Sequence, residues 1–201
     1  HDLWPHFLPF WLQVLLVYLL ADLGRYWQHR MMHRYAFLWQ FHALHHSVSR
    51  ICTLKTSRSH IVERLLQPVC MFGLLFLLGA SPEVLFWYIM PNSFLGMMDH
   101  SNLEIKLGPV SYLINGPAEH RLHHSQDMRE GNSNFGSALI FWDMVFGTYI
   151  NPRPYSSPRA VGIENDAMPA GFLAQLSEPF VHKALVPIEV KSSGVQADTK
   201  F

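Results

Sequence analysis

The sequence predicts an all-α fold in which integral membrane helices carry a helical cap on their cytosolic face. Three observations predict it. The 201 residues are 49% apolar and 15% charged, against a soluble average of roughly 25% charged. The apolar residues are bunched into three stretches rather than spread. Histidines recur at helical spacings in three clusters: His29-x-x-x-His33, His42-x-x-His45-His46 and His120-x-x-His123-His124.

The first apolar stretch runs from about Phe7 to Leu23, with Gln13 and Asp22 as its strongly polar members. It is just long enough to cross a hydrocarbon core of about 30 Å. A helix is predicted from Phe10 to Tyr35, so that the first histidine cluster continues the membrane helix. A second helix covers Ala36 to Val48. The next apolar stretches, Leu65 to Ala80 and Val84 to Met98, are each short for a full span. The Ser81-Pro82 step separates them, and the pair reads as a hairpin that enters the membrane and returns to the same side. A short helix follows near Pro117 to Ser125. Gly131, Asn132, Ser133, Asn134 and Gly136 read as loop, and Ala138 to Tyr149 as a short helix packed near the membrane. Pro152, Pro154 and Pro158 mark a loop, and the tail after Lys191 is polar and expected to be disordered. Residues 1–152 thus form the expected catalytic domain, and 153–201 a C-terminal loop and polar tail. The chain starts at His1 and reads as an N-terminally truncated fragment without a cleavable signal peptide.

Charge sets the expected orientation. Arg25, Arg30, Arg34, Arg50, Lys55, Arg58 and Arg64 lie between the first and second stretches, opposed by Glu63 alone, whereas the turn from Gly79 to Glu83 has no lysine or arginine. Short basic loops stay cytoplasmic, so all three clusters should lie on one side, just outside the bilayer. The 15 basic and 15 acidic residues balance, which speaks against nucleic acid as a partner. Two cysteines, Cys52 and Cys70, are too few for a disulfide framework or a thiolate zinc site.

The clusters hold eight of the 13 histidines. Spacings of three and four put side chains on one helical face, and neutral imidazole is the commonest metal ligand near neutral pH. A structural zinc needs four ligands; eight suit two metals. Imidazole serves iron, copper, zinc and nickel alike, so ligand type alone does not choose the metal. His1, His6 and His182 have no partner at ligand spacing and are not expected to bind. The aromatic run Phe141, Trp142 and Phe146 reads as packing or an interfacial belt.

The motifs extend beyond the histidines. Asp22-x-x-x-Tyr26-Trp27-x-His29-Arg30, Trp39-x-x-His42-x-x-His45-His46-Ser47, Met98-Asp99-His100-Ser101-Asn102 and Pro117-Ala118-Glu119-His120-Arg121-x-His123-His124 appear in that order. Asn134-Phe135-Gly136 and Phe141-Trp142-Asp143-x-x-Phe146-Gly147-Thr148-Tyr149 close the series. Over about Leu19 to Pro152 this resembles the fatty acid hydroxylase and sterol desaturase superfamily of membrane histidine-box proteins.

The resemblance implies an O2-dependent oxidoreductase that hydroxylates or desaturates a lipid at a non-haem centre of two iron ions. Box by box it carries over His29, His33, His42, His45, His46, His120, His123 and His124 as ligands, with His100 as a ninth. His60, in Arg58-Ser59-His60-x-x-Glu63, departs from the pattern of several relatives because Ile61 stands where they have proline, and it reads as pocket wall or as a residue behind the ligands. Asp22, Asp99, Glu119, Asp127 and Asp143 are the candidates to hold the second ring nitrogens. No flavin or nicotinamide fingerprint is present, so electrons are expected from cytochrome b5, a ferredoxin or a reductase, or from tetrahydrobiopterin as in one branch of the family. Two other classes fit a multi-histidine membrane protein: a divalent-metal transporter, and a non-catalytic metal- or lipid-binding protein. Transport sites place ligands within the spans, which here hold almost none, and the intact boxes speak against the second class.

Overall fold

Phe10–Arg34 form α1, 25 residues that run from the apolar stretch through the first histidine cluster. The computed structural model describes residues 3–103, 105, 107–152, 160–163 and 168–181. Every regular element among them is helical: α2 Ala36–His46, α3 Ile61–Leu78, α4 Pro82–Asp99, α5 Pro117–His123, α6 Met128–Gly131, α7 Phe141–Val145 and α8 Phe172–Val181, with 3₁₀ turns at Thr53–Ser57 and Gly108–Tyr112. Two isolated β-bridges, Ile114 to Leu139 and Ser125 to Val161, tie loops together. His1, His182 and the tail after Lys191 lie outside the described residues.

The core is built on α1. Val14, Val17 and Ala21 pack with Met71 and Leu75 of α3 and with Val84, Leu85 and Tyr88 of α4. The two polar residues of α1's apolar part are buried and satisfied, as buried polar groups must be. Gln13 accepts from Trp4 Nε1 at 2.7 Å and donates to Leu8 O at 2.8 Å. Asp22 accepts from the backbone N–H of Ala138 and Leu139, each at 3.0 Å.

Local signals set the helix ends. His60 caps α3 by accepting from Val62 N, and Gly79 ends it in the left-handed region at φ 91°, where glycine carries no Cβ penalty. Ser81 caps α4 with Pro82 in its first turn, the position where the missing N–H costs nothing. At 18 residues each, α3 and α4 extend about 27 Å. Among the described residues α3 is the helix long and apolar enough to cross a membrane. Leu65, Val69, Phe76 and Leu77 project from it fully enough to count as exposed. The longer α1 is interrupted by Gln13, Asp22 and Arg25, which meet the segment before the helix, the loop at Ala138 and Leu139, and Glu63 of α3.

Gly24 sets the approach of α1 to α3. A Cβ there would lie 2.1 Å from Cys70 O and 2.9 Å from Cys70 C, a clash with backbone that no rotamer change relieves. Gly24→Ala is expected to destabilise the protein by about 2–3 kcal/mol through this overpacking, read as a lowered melting temperature of the detergent-solubilised protein.

Two elements differ from the sequence expectation. Met128–Gly131 closes one turn of helix inside the expected loop, because Asp127 accepts from Arg129 N and caps it. α8 lies in the stretch expected to be loop and tail. Its backbone is fixed to the body by a hydrogen bond from His60 Nε2 to Leu176 O at 3.0 Å.

Candidate metal centre

Four helix ends bring the histidines together. The last two turns of α1 present His29 and His33, the C-terminal half of α2 presents His42, His45 and His46, and α5 with its C-cap presents His120, His123 and His124. His100 is the C-cap of α4. Glu63 at the start of α3 touches His42, and His100 at the end of α4 touches His45. The α3–α4 segment therefore leaves from the site and returns to it, as the hairpin reading required.

The nine histidines sort into two groups. His29, His33, His42, His46 and His123 form one (site A), and His45, His100, His120 and His124 the other (site B); within each, the candidate ligand atoms lie within 4.8 Å of one another. Helical periodicity explains the split. His42 and His46 are four apart and share a face, as are His120 and His124, whereas His45 and His123 point about 100° away from their neighbours. Each of these two boxes thus serves both sites. The groups abut where the His46 and His124 rings stack at 4.3 Å.

The Nε2 atoms face inward. In site A, His42 Nε2 lies 3.0 Å from His29 Nε2 and 3.1 Å from His46 Nε2, which is 3.1 Å from His33 Nε2. In site B, His100 Nε2 lies 3.2 Å from His45 Nε2 and 3.0 Å from His120 Nε2, which is 3.1 Å from His124 Nε2. His123 Nε2 is buried with no hydrogen-bond partner. A neutral imidazole has one N–H, and six Nδ1 atoms already meet oxygen acceptors, so these Nε2 atoms converge as lone pairs. Around a six-coordinate ion with bonds of about 2.1 Å, adjacent nitrogens lie about 3.0 Å apart; around a tetrahedral one, about 3.4 Å. The observed spacings of 3.0–3.2 Å fall within this range, close enough for the nitrogens of each group to share one ion, and the buried, unpartnered His123 nitrogen belongs to site A. The residues fit a pair of metal ions.

The outer nitrogens are held mainly by neutral oxygens. His29, His45, His100 and His123 meet the carbonyls of Phe135 (2.9 Å), Arg58 (3.2 Å), Gly96 (3.0 Å) and Ser133 (2.8 Å), and His33 meets Asn132 Oδ1 at 3.2 Å. These bonds fix the tautomer that leaves Nε2 free for a metal. Burial, reinforced by repulsion between neighbouring imidazoliums, pushes His45, His46, His120 and His124 well below the ordinary histidine range. Burial likewise pushes His123 down to about 3 and His100 to about 4. These six rings are neutral at physiological pH and ready to ligate.

Asp22 and Asp143, expected to face the imidazoles, do not. Asp143 accepts from Phe135 N, Gly136 N and the Thr148 hydroxyl, each at 2.7 Å. Asp22 accepts from Ala138 N and Leu139 N, so both carboxylates shape the loop whose Phe135 carbonyl receives His29. Asp127 caps α6 instead. A carboxylate outside that expected set does meet a ring nitrogen: Glu63 lies 3.0 Å from His42 Nδ1. Its sequence signal was an acid in the first turn of the most apolar helix, where a charge without a role is costly. His60 and His6 belong to neither group. Both ring nitrogens of His60 are engaged, one with Val62 N and one with Leu176 O. The aromatic run packs as expected: Phe146 stacks on buried Tyr26 at 5.2 Å, and Trp142 Nε1 donates to Leu19 O.

A family model for fatty acid hydroxylases matches residues 14–148, a range that includes all nine histidines. The chain is 39% identical over 180 residues to the ornithine lipid hydroxylase OlsE of Rhizobium tropici, covering 90% of this chain and 54% of that protein. It is 30% identical over 135 residues to alkylglycerol monooxygenase of Xenopus tropicalis, covering 67% of this chain and 30% of that protein. Methylsterol monooxygenase 1 of Rattus norvegicus is 26% identical over 140 residues, covering 68% of this chain and 46% of that protein. The chain therefore spans about half the length of the first of these relatives and about a third of the second. No solved structure matches. The order of the boxes, their convergence on one double site and the match across two thirds of the sequence agree, and the chain belongs to the fatty acid hydroxylase family.

Proposed function

We propose that this chain carries the catalytic site of a membrane-bound, non-haem di-iron oxygenase that hydroxylates a lipid. The observation that supports it most is the convergence of nine inward-facing histidines as five and four. The ligands would be His29, His33, His42, His46 and His123 for one ion, and His45, His100, His120 and His124 for the other. Residues 1–152 would form the catalytic domain, with α8 laid against it.

Two bound irons would supply the two-electron activation of O2 that a redox-silent zinc cannot. Overall, the lipid C–H, O2, two electrons and two protons give the alcohol and water. The electrons come from a partner such as cytochrome b5, a ferredoxin or a reductase. The chain's own residues position and exclude. Phe135 packs against the rings of His29, His33 and His123 at 5.2–5.6 Å, and Trp39 lies 5.0 Å from His33. These rings keep water from site A, the condition under which a reactive oxidant meets its substrate rather than solvent.

The exposed apolar residues of α3 and α4 support burial of this pair in a bilayer, with the basic segment from Arg25 to Arg64 on the cytoplasmic side. The relatives are hydroxylases and monooxygenases by name, which favours hydroxylation over desaturation. The 39% identity to an ornithine lipid hydroxylase favours an amphiphilic lipid with an amino-acid-derived head.

The test uses the full-length protein reconstituted with an electron donor and its host's lipid extract under isotopically labelled O2. Two irons per chain and one labelled oxygen atom in one lipid class are expected. Protein that binds only zinc and oxidises no lipid with any donor would instead support the transporter or the non-catalytic reading.

A further inference from the structure

We propose that Glu63 is a positioning residue that makes site A the tighter of the two metal sites, acting through His42. The proposal rests on the paired-metal reading above and adds an asymmetry to it. Of the six ring nitrogens with oxygen partners, five meet neutral carbonyl or amide oxygens and one meets a carboxylate. That carboxylate is 2% exposed. It sits in the first turn of α3, the helix with the least use for a charge.

The placement is built from three helices. Glu63 Oε1 on α3 lies 3.0 Å from His42 Nδ1 on α2 and 3.8 Å from Arg25 Nη2 on α1. Arg25 is itself oriented by donating to Gln28 Oε1 at 3.1 Å. A buried carboxylate is costly unless paired and hydrogen-bonded, and here the pairing leads directly to a ligand. Oε2 accepts no hydrogen bond, so packing alone gives no reason to keep an acid rather than an apolar side chain.

His42 is, with His46, one of the two inner members of site A, since its Nε2 touches those of both His29 and His46. A carboxylate on the opposite nitrogen fixes the tautomer and strengthens Nε2 as a donor, and losing such a partner costs about 10–100-fold in metal affinity. Site B has one ligand fewer, and no carboxylate meets the outer nitrogens of its histidines: His45 and His100 meet carbonyls, while Nδ1 of His120 and of His124 has no hydrogen-bond partner. Both differences point the same way.

The experiment is chelator competition on the full-length protein in detergent, loaded with Co²⁺ as a spectroscopic probe or with Fe²⁺, comparing wild type with Glu63→Gln. Glutamine keeps an acceptor for Nδ1–H and removes the charge. Wild type should release its ions in two steps. In E63Q the tighter step should weaken about 10–100-fold, with the weaker step and the melting temperature nearly unchanged. A general structural role would weaken both steps together, and that result, or an unchanged tight step, overturns the proposal. Arg25→Gln/Glu63→Gln removes both buried charges and protects against misfolding of the single variant. It should lose the same affinity; full recovery would show that a stranded Arg25, not the bond to His42, caused the effect. The two readings fail separately. A wild-type chain that holds one ion contradicts the paired-metal reading, and the Glu63 role is then decided by whether E63Q loosens that ion.

Discussion

His42→Ala is expected to lower bound iron from two ions per chain to one and to abolish lipid hydroxylation. His120→Ala should do the same by emptying the other site. The expectation follows from how the donors are shared. His42 Nε2 sits within 3.1 Å of two other site A nitrogens, so its loss opens the middle of that donor set. His120 Nε2 holds the equivalent place in site B, between His100 and His124. An outer partner of a ligand is already worth about 10–100-fold in affinity or activity, so removing the ligand itself should cost more than a hundredfold. His120→Ala leaves a cavity and no stranded charge, whereas His42→Ala also takes from buried Glu63 its hydrogen-bond partner, so it is paired with Glu63→Gln to keep the fold; alanine is a good helix former at both positions. Iron analysis and labelled-oxygen incorporation on the same preparation check the result. Variants that keep both ions, or lose both together, would show that the division into five and four is not how the metals are held.

Much of this centre was legible in the chain because helical periodicity maps sequence spacing onto direction. His42 and His46, or His120 and His124, share a face by their spacing alone. His100 stood outside any cluster, and only its place after the third apolar stretch, within Met98-Asp99-His100-Ser101-Asn102, marked it; the structure sets its Nε2 3.2 Å from that of His45. The carboxylates were harder. Asp22 and Asp143 are near the boxes in sequence, and proximity suggested contact with imidazole. A carboxylate, however, goes where donors are concentrated, and the turn at Phe135 and Gly136 offers free backbone N–H groups that no helix satisfies. Glu63 reaches His42 across 21 positions through the packing of α2 against α3, a relation that periodicity does not encode. α8 escaped notice for a related reason: its helical state is supported by packing beside α2, and a ten-residue helix has little stability of its own.

Asp143→Asn is the second large effect, and it tests whether the closing loop holds site A in place. Asp143 is fully buried although burial raises its carboxyl above the usual range, because three donors converge on it. Oδ1 accepts from Phe135 N and the Thr148 hydroxyl, and Oδ2 from Gly136 N. An asparagine amide must turn its NH2 toward at least one of those N–H groups, so one donor is left facing another donor. With hydrogen bonds to a charged acceptor worth about 1.5–3 kcal/mol each, and an unsatisfied buried group costing about 1–3 kcal/mol more, a destabilisation of about 3–5 kcal/mol is expected. The loop has no room to adjust: a Cβ at Gly136 would lie 2.1 Å from Leu139 O. Strain therefore passes to Phe135, whose carbonyl receives His29 Nδ1 at 2.9 Å and whose ring packs on three site A histidines. The melting temperature should fall by about 10 °C, and iron should leave site A before site B, where no ligand is held by this loop. Asp22→Asn removes the anchor two residues further along, at Ala138 and Leu139, so the two substitutions share one loop and should combine less than additively. A D143N protein with wild-type melting and both ions retained would separate the loop from the metal centre, and the orientation of His29 would then have to come from α1 alone.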